Sequence, residues 1–568
     1  MKTKILSIIL LSILVNNVYL FKYNYITTDG VIHTSHTING TIPDVTNETV
    51  AVLIYENNVN KTGWANLELK TSNRFTDNVQ SYMGGVVEGY ITGQLIHYNY
   101  RNTYENICKN KKFCELLKKF VENNNQFIDT MIKKKSDSNY WHQIDLIYTQ
   151  LKGLQEGYNR WKVEHKIKNT TETDYLGEIF LINIGPELST LEEILLNKKI
   201  KTRGHCSAIV KPLADGSDLY VSHNTWNTYN SMLRVLKKYS FAFNTIESNF
   251  TKLISGHSVS FPSAPGSLLS NDDYYILSSG LVVQETTNEN FNMSLLVNIR
   301  ANNSILEFAR NVVANRLANS GKEWTDLFAP YNSGTYNNQF MIVDYKLWKK
   351  GTKVADLPNN LLWIIEQFPS LMEAQDVTPV LRTQGYWGSY NVPYFKDLYN
   401  ISGNADMARK FGPFFTYNGT ARATIFRRDH SKIVDMKTLY AFMRYNDFKN
   451  DPLSQCSHYN QTCSPPYSAD MTIAARNDLN DIKGKYPIDE WSYYGEGATD
   501  AKMTNSSMVL NLEMLAVCGP TTEQQPPFQW SKSDLDLNHD GQPDIFNFKP
   551  IYVKWYPLRY QFADDIKK

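Results

Sequence analysis

The sequence predicts an α+β fold, and three observations carry that expectation. Stretches that read as strands and stretches that read as helices come in mixed runs, without the regular alternation of a doubly wound parallel sheet. Apolar residues make up 42% of the 568 and aromatic residues 13%, which is enough to bury a large core and excludes a disordered chain. No internal repeat or long low-complexity tract breaks the pattern. The 58 basic and 57 acidic residues leave a net charge of +1, which excludes a broadly basic nucleic-acid binder and a polybasic membrane protein. At ~150 residues per domain, the length allows three or four domains or one large domain with insertions.

Residues 27–75 alternate and are rich in Val, Ile and Thr, as in Val50 to Tyr55, which predicts strands. A helix follows over 77–98, with Asp77 as its cap and Met83, Val87, Tyr90 and Ile91 on one face. Gly85, Gly89 and Gly93 recur every fourth residue, so one face is bare and another core element can approach closely. Two more helices are predicted over 113–132 and 141–162, the second with Leu151, Leu154, Tyr158 and Trp161 as its buried stripe. The polar residues 163–175 read as a surface loop. Residues 207–211 and 219–222 flank Ala214-Asp215-Gly216-Ser217, and Asp-Gly between two apolar runs predicts a β-hairpin. Beyond it, 276–285 reads as one strand, 305–317 as an amphipathic helix and 340–348 as a strand.

Residues 1–20 read as a secretory signal. Lys2 and Lys4 precede an apolar run, Ile5 to Val15, that is too short for a comfortable membrane span. No later stretch reaches ~18 uninterrupted apolar residues, so a soluble protein, secreted or lysosomal, is expected. Eleven glycosylation sequons agree with that route: Asn39, Asn47, Asn60, Asn169, Asn249, Asn292, Asn302, Asn400, Asn418, Asn460 and Asn505. The last residues, Asp564 to Lys568, are not a KDEL-type signal. Six cysteines in an oxidising compartment should mostly pair. Cys108 with Cys114 and Cys456 with Cys463 would close short loops. Cys206 and Cys518 remain, either joined to each other or with Cys206 kept free for chemistry.

Several chemistries are missing. The chain has no His-Glu-x-x-His, no phosphate-cradling P-loop, no Gly-x-Ser-x-Gly elbow and no Cys-x-x-Cys. Asp536-x-Asn538-x-Asp540-Gly541 has the start of a calcium loop. Its twelfth position is Asn547 and Pro543 sits inside it, so a solvated turn is the better reading. No metal or other cofactor is expected. The basic runs 109–112 and 133–135 read as solvated helix ends with a weak preference for anionic lipid surfaces.

Cys206 begins the first strand of the predicted hairpin, and His223 and Trp226 lie near the end of the second. Cys206 and His223 fall about symmetrically across the Asp-Gly turn, so a thiol and an imidazole meet there. An adjacent imidazole can activate a thiol as a nucleophile. On the hairpin alone, a core cysteine and a surface histidine on paired strands is the better reading.

Gly204-His205-Cys206-Ser207-Ala208 together with Ser222-His223-Asn224-Thr225-Trp226 resembles the phospholipase B-like (lama-ancestor) family. So do the blocks 262–266, 272–275, 280–287, 332–339, 389–395, 425–429 and 539–548. The resemblance implies an N-terminal-nucleophile hydrolase, an αββα sandwich of two stacked antiparallel sheets between helical layers. It implies that the chain cuts its own backbone between His205 and Cys206. Residues 21–205 would then be an N-terminal fragment that stays associated, and 206–568 a C-terminal fragment carrying the nucleophile, the two forming one hydrolase domain. By the same resemblance, His223 orients or polarises Cys206, Trp226 lines the site, and Thr287 faces the pocket. Asn391 gives its side-chain amide to the developing oxyanion, and Arg422 holds a fixed charge near the sulfur, a role for which Arg427 and Arg428 compete. The implied activity removes fatty acyl chains from glycerophospholipids at a transient lipid surface. An amidase on N-acylated lipids or small peptides, and a non-enzymatic lipid-binding glycoprotein, remain open beside it. No nucleic-acid partner is implied, and oligomeric state is left open.

Overall fold

The computed structural model describes residues 22–36, 45–168, 177–199, 206–246, 251–270 and 274–555. The expected signal segment, His205 and the sequons at Asn39, Asn169 and Asn249 lie outside these residues, as does most of the loop expected at 163–175.

The chain folds as an α+β sandwich of two stacked sheets between helices. The large sheet has eleven strands, running from Leu371–Asp376 at one edge to Ile32–His36 at the other. All its pairings are antiparallel except that of Trp64–Thr71 with Arg234–Ser240. The small sheet has six strands in the order Trp387–Ser389, Ser207–Pro212, Leu219–Asn224, Asp500–Thr504, Met514–Cys518 and Ile551–Val553.

Side-chain alternation sorts these strands into layers. In the small sheet Ala208, Val210, Leu219 and Val221 point into a core shared with Ile276, Val282, Met341 and Val343 of the large sheet. Their neighbours Ile209 and Tyr220 point the other way, onto Ile425, Phe426, Leu439 and Phe442 of the outer helices Ala421–Asp429 and Met436–Met443. The far face of the large sheet is covered by Asp77–Ile91, Asn139–Glu164, Glu307–Leu317 and Gly321–Phe328.

The glycine stripe seats the first two of those helices. A Cβ on Gly89 would lie 2.1 Å from the Leu154 carbonyl oxygen, and one on Gly85 would lie 2.4 Å from that of Gln150. Gly153 and Gly157 return the contact against Tyr82 and Val86. The deepest face of Asp77–Ile91 therefore runs along Gly85, Val86 and Gly89, and Met83, Tyr90 and Ile91 are only partly buried.

Several elements differ from the sequence reading. The first helix is capped by Thr76, whose hydroxyl accepts from Val79 N, and Asp77 instead bonds His142 Nε2 at 2.9 Å. The helix breaks at Thr92 and resumes as Gly93–Thr103. Glu178–Asn183 and Leu188–Leu196 are additional helices. The single strand expected at 276–285 is a hairpin of Tyr274–Leu277 and Leu281–Thr287, turning at Gly280 with φ +77°. The strand expected at 340–348 is Asn338–Asp344, and the chain coils from Tyr345 onward. The calcium-like loop docks on Gly93–Thr103: Asp540 N donates to Asn102 Oδ1 at 2.8 Å, and Asp540 pairs with Arg101 at 2.9 Å.

Cys108–Cys114 and Cys456–Cys463 are disulfides. Cys206 and Cys518 are buried free thiols, so the reading that joined them does not hold. Of the described sequons, Asn47, Asn60, Asn302, Asn400, Asn418 and Asn460 are exposed. Asn292 and Asn505 are half-buried, with side-chain oxygens that accept from following backbone amides. Among the described residues no helix is long and apolar enough to cross a membrane.

Candidate active site

The hairpin Ser207–Pro212/Leu219–Asn224 forms around the Asp-Gly turn, with Gly216 at φ +70°. Its register sets His223 opposite Ala208, two residues along from Cys206. A two-residue offset preserves the face of a strand, so thiol and imidazole still converge. Cys206 Sγ, a ring nitrogen of His223 and a carboxylate oxygen of Glu285 lie within 4.8 Å of one another, all buried.

His223 Nε2 donates to the Glu285 backbone carbonyl at 2.7 Å. A carbonyl only accepts, which fixes the proton on Nε2 and leaves Nδ1 as the lone-pair nitrogen of a neutral ring. Nδ1 has no partner. Burial holds the imidazole well below its usual range, and the nearby Lys502 ammonium pushes the same way. Burial also raises the Cys206 thiol well above its ordinary value, Glu285 adding to it while a backbone hydrogen bond from Trp226 favours the thiolate. The Glu285 carboxyl is itself raised by burial; it accepts from Tyr336 Oη at 3.0 Å and from the Asn338 amide nitrogen, turned toward it, at 3.0 Å.

Arg422 sits on the first turn of Ala421–Asp429, which Thr420 caps. Its Nη1 donates to the Cys206 carbonyl oxygen and, at 2.6 Å, to Asn391 Oδ1, and Nη2 donates to the Tyr390 carbonyl at 3.1 Å. The guanidinium lies 4.3 Å from the Trp226 ring centroid. Burial lowers it to about 10, and Asp470 and Cys206 favour its charge. Arg427 and Arg428 are elsewhere: Arg427 bonds the Asn418 carbonyl at the surface, and Arg428 pairs with Asp429 and Asp451. Asn391, at φ +68°, gives its amide to the Thr287 carbonyl at 2.6 Å. The amide expected at an oxyanion thus ties two site loops together, and Thr287 contributes its backbone oxygen to that tie. Cys206 has φ +115°, a backbone region that residues with a Cβ adopt at a cost of ~1–3 kcal/mol.

The sequence reading gave no role to Glu285, Thr225, Asp500 or Lys502. Lys502 Nζ donates to Thr225 Oγ1 and, at 2.9 Å, to Asp500 Oδ1. Asp500 also accepts from Thr225 N at 3.2 Å and faces Arg234 at 3.2 Å. This buried group pins the segment between His223 and Trp226. Glu285 and Thr225 stood inside the quoted sequence blocks, which was the available signal; Asp500 and Lys502 come from a distant strand with none. Cys206, His223 and Glu285 also form a sulfur, nitrogen and oxygen donor set able to hold a thiophilic ion such as Zn2+.

Three of these residues, Trp226, Asn391 and Arg422, border a cavity of ≈ 60 Å3. The family model described as Phospholipase B matches residues 51–553, a span holding every residue of this cluster. The Homo sapiens protein named "Putative phospholipase B-like 2" is 41% identical over 526 residues, 91% of this chain and 87% of its own. The Dictyostelium discoideum protein named "Phospholipase B-like protein B" is 36% identical over 524 residues, 89% of this chain and 86% of its own. With a match that runs through both sheets and the whole Cys206 cluster, the chain belongs to the phospholipase B family.

Proposed function

We propose that the protein travels the secretory pathway and is an acyl hydrolase that frees fatty acids from glycerophospholipids, with Cys206 as nucleophile after self-cleavage at His205–Cys206. The observation that carries this reading is Cys206 itself: a strained, buried thiol beside a neutral imidazole whose free nitrogen has no other partner.

The chemistry follows from those groups. In the uncut chain the Cys206 thiol gives its proton to His223 Nδ1, and Sγ attacks the carbonyl carbon of His205. The C–N bond breaks, the Cys206 nitrogen takes a proton, and a thioester joins His205 to the sulfur. Water hydrolyses it, leaving a carboxylate on His205 and, on Cys206, a free thiol and an α-amine. An α-amine with an unperturbed pKa near ~8 can take the thiol proton at neutral pH. The sulfur then attacks the acyl carbonyl of the lipid, the alcohol leaves, and water hydrolyses the acyl thioester. Arg422 fixes the Cys206 carbonyl, so the nucleophile's own backbone does not swing as the upstream chain departs.

The test is fatty-acid release from phospholipid vesicles by the purified protein, with Cys206→Ala alongside, and N-terminal sequencing of the larger fragment. Release that needs Cys206, from a fragment beginning at Cys206, is the expected result. Equal release by both proteins, or a fragment beginning elsewhere, refutes the proposal.

A further inference from the structure

Three donors of different chemistry converge between the two sheets. Cys206 adjoins the small sheet, His223 lies on it, and Glu285 lies on the large one. Cys206 Sγ, a ring nitrogen of His223 and a carboxylate oxygen of Glu285 are all buried and within 4.8 Å of one another. A tetrahedral ion with bonds of about 2.0–2.3 Å spaces its ligand atoms by about 3.3–3.8 Å, so side-chain rotations that close the gaps by ~1.5 Å or less suffice. The surroundings fit such an ion as well. A metal-binding histidine almost always gives its other ring N–H to a carbonyl or carboxylate, which sets the tautomer and the ring orientation. His223 does this: Nε2 donates to the Glu285 backbone carbonyl at 2.7 Å, and Nδ1, on a fully buried ring, has no partner. The Glu285 carboxyl is oriented in turn by Tyr336 Oη and by the Asn338 amide nitrogen, each at 3.0 Å, and its two oxygens keep lone pairs to spare.

We propose that this trio is an inhibitory Zn2+ site, in which the ion joins Cys206 Sγ, His223 Nδ1 and the Glu285 carboxylate and so withholds the nucleophile reversibly. The metal site stands on the side chains alone; the inhibition rests on the acyl-hydrolase reading. As the ion binds, the thiol and the carboxyl each give a proton to solvent, and the thiolate and carboxylate that remain cancel its two charges. A neutral cluster is what a buried site tolerates. Mg2+ and Ca2+ take six or more oxygens, so a sulfur and an imidazole select against them. In the uncut chain water takes the fourth position on the ion. In the cut chain the Cys206 α-amine takes it, closing a five-membered ring with its own sulfur. The ion then holds the sulfur's charge and the lone pairs of both nitrogens that accept the thiol proton, so neither self-cleavage nor acyl transfer can start.

Titration of the purified protein with Co2+ tests the site, because a cobalt–thiolate bond gives a near-ultraviolet charge-transfer band and a tetrahedral cobalt centre gives visible d–d bands. Both are expected, saturating at one ion per chain and displaced by Zn2+. Cys206→Ala should remove the charge-transfer band, and Glu285→Gln should weaken binding at least tenfold. A wild-type protein without the band overturns the proposal even if the variants fail to fold. A band that survives in Cys206→Ala belongs to Cys518, the other free thiol, and overturns it too, as does undiminished binding by Glu285→Gln. Fatty-acid release from phosphatidylcholine vesicles is measured separately. Zn2+ at saturation should suppress it, and EDTA should restore it; release that continues at saturation overturns the inhibition. The band without any release by the metal-free protein upholds the metal site and removes the hydrolase reading alone.

Discussion

At the scale of single residues, the site depends on which protons and forks are fixed. Arg422 serves three acceptors on two segments and stacks on Trp226, a task that suits a planar guanidinium and defeats a point charge. Arg422→Lys keeps the charge and is expected to slow self-cleavage at least tenfold, measured as the uncut fraction on a denaturing gel over time; cleavage at the wild-type rate would show that only the charge matters. His223 carries a pH signature. Its folded pKa is depressed, so at acid pH the unfolded chain takes up a proton that the folded chain refuses. Stability is then full above an unfolded pKa of ~6.5 and falls below it, by up to about 1.4 kcal/mol per pH unit. Equilibrium urea unfolding on an uncut Cys206→Ala background, at pH 7 and pH 5, measures it. Adding His223→Gln should shrink the loss of stability between the two pH values, by at most about 2 kcal/mol. An unchanged loss would place the proton uptake on other groups.

At the scale of elements, the glycines of Asp77–Ile91 are not equivalent. A Cβ on Gly89 meets the Leu154 backbone at 2.1 Å, which cannot yield without parting the two helices. A Cβ on Gly84 meets only side chains of Phe241 and Leu69, at 3.2 and 3.3 Å. Helix propensity favours Ala over Gly by about 1 kcal/mol at both positions. Gly89→Ala should nevertheless lose about 1–3 kcal/mol to overpacking, and Gly84→Ala should be near neutral, as read by thermal unfolding. Similar melting temperatures for the two variants would mean that the helix pair is not held by this contact. The stripe was legible because a four-residue period is local information, and so was the Asp-Gly hairpin that carries Cys206 and His223. The hairpin at Gly280 was legible too but was passed over: Ser278-Ser279-Gly280 divides Ile276 and Leu277 from Leu281, Val282 and Val283, and the glycine takes the positive φ of the turn. The site shows the limit. Cys206 and His223 are neighbours across one turn, whereas Glu285 comes from the other sheet and Lys502 from a strand nearly 300 residues away in the chain. No local pattern encodes such a meeting.

At the scale of the molecule, the proposed cut falls where it severs no pairing between strands. The chain before it supplies Lys22–Thr27, Ile32–His36, Thr49–Asn58 and Trp64–Thr71 to one end of the large sheet, and the chain after it supplies the other strands of that sheet and all of the small one. The junction is the parallel pair from Trp64↔Arg234 to Lys70↔Ser240. A parallel pair requires a long crossover. Residues 205–206 lie within that crossover, so cutting there leaves the ladder intact. Buried polar contacts cross the same junction: Lys237 Nζ bonds Glu88 Oε1 at 2.6 Å, and Tyr239 Oη donates to Glu88 Oε2 at 2.7 Å. Separating the fragments would expose both faces of the sheet there and strand a carboxylate. The two pieces should therefore co-elute in native size-exclusion chromatography and part only in denaturant. Lys237→Met leaves Glu88 buried without its cation, which costs about 3–5 kcal/mol and should lower the urea concentration at which they part. Pieces that separated spontaneously in native buffer would mean that the sheet is not continuous across the cut, and that the folded domain requires an unbroken chain.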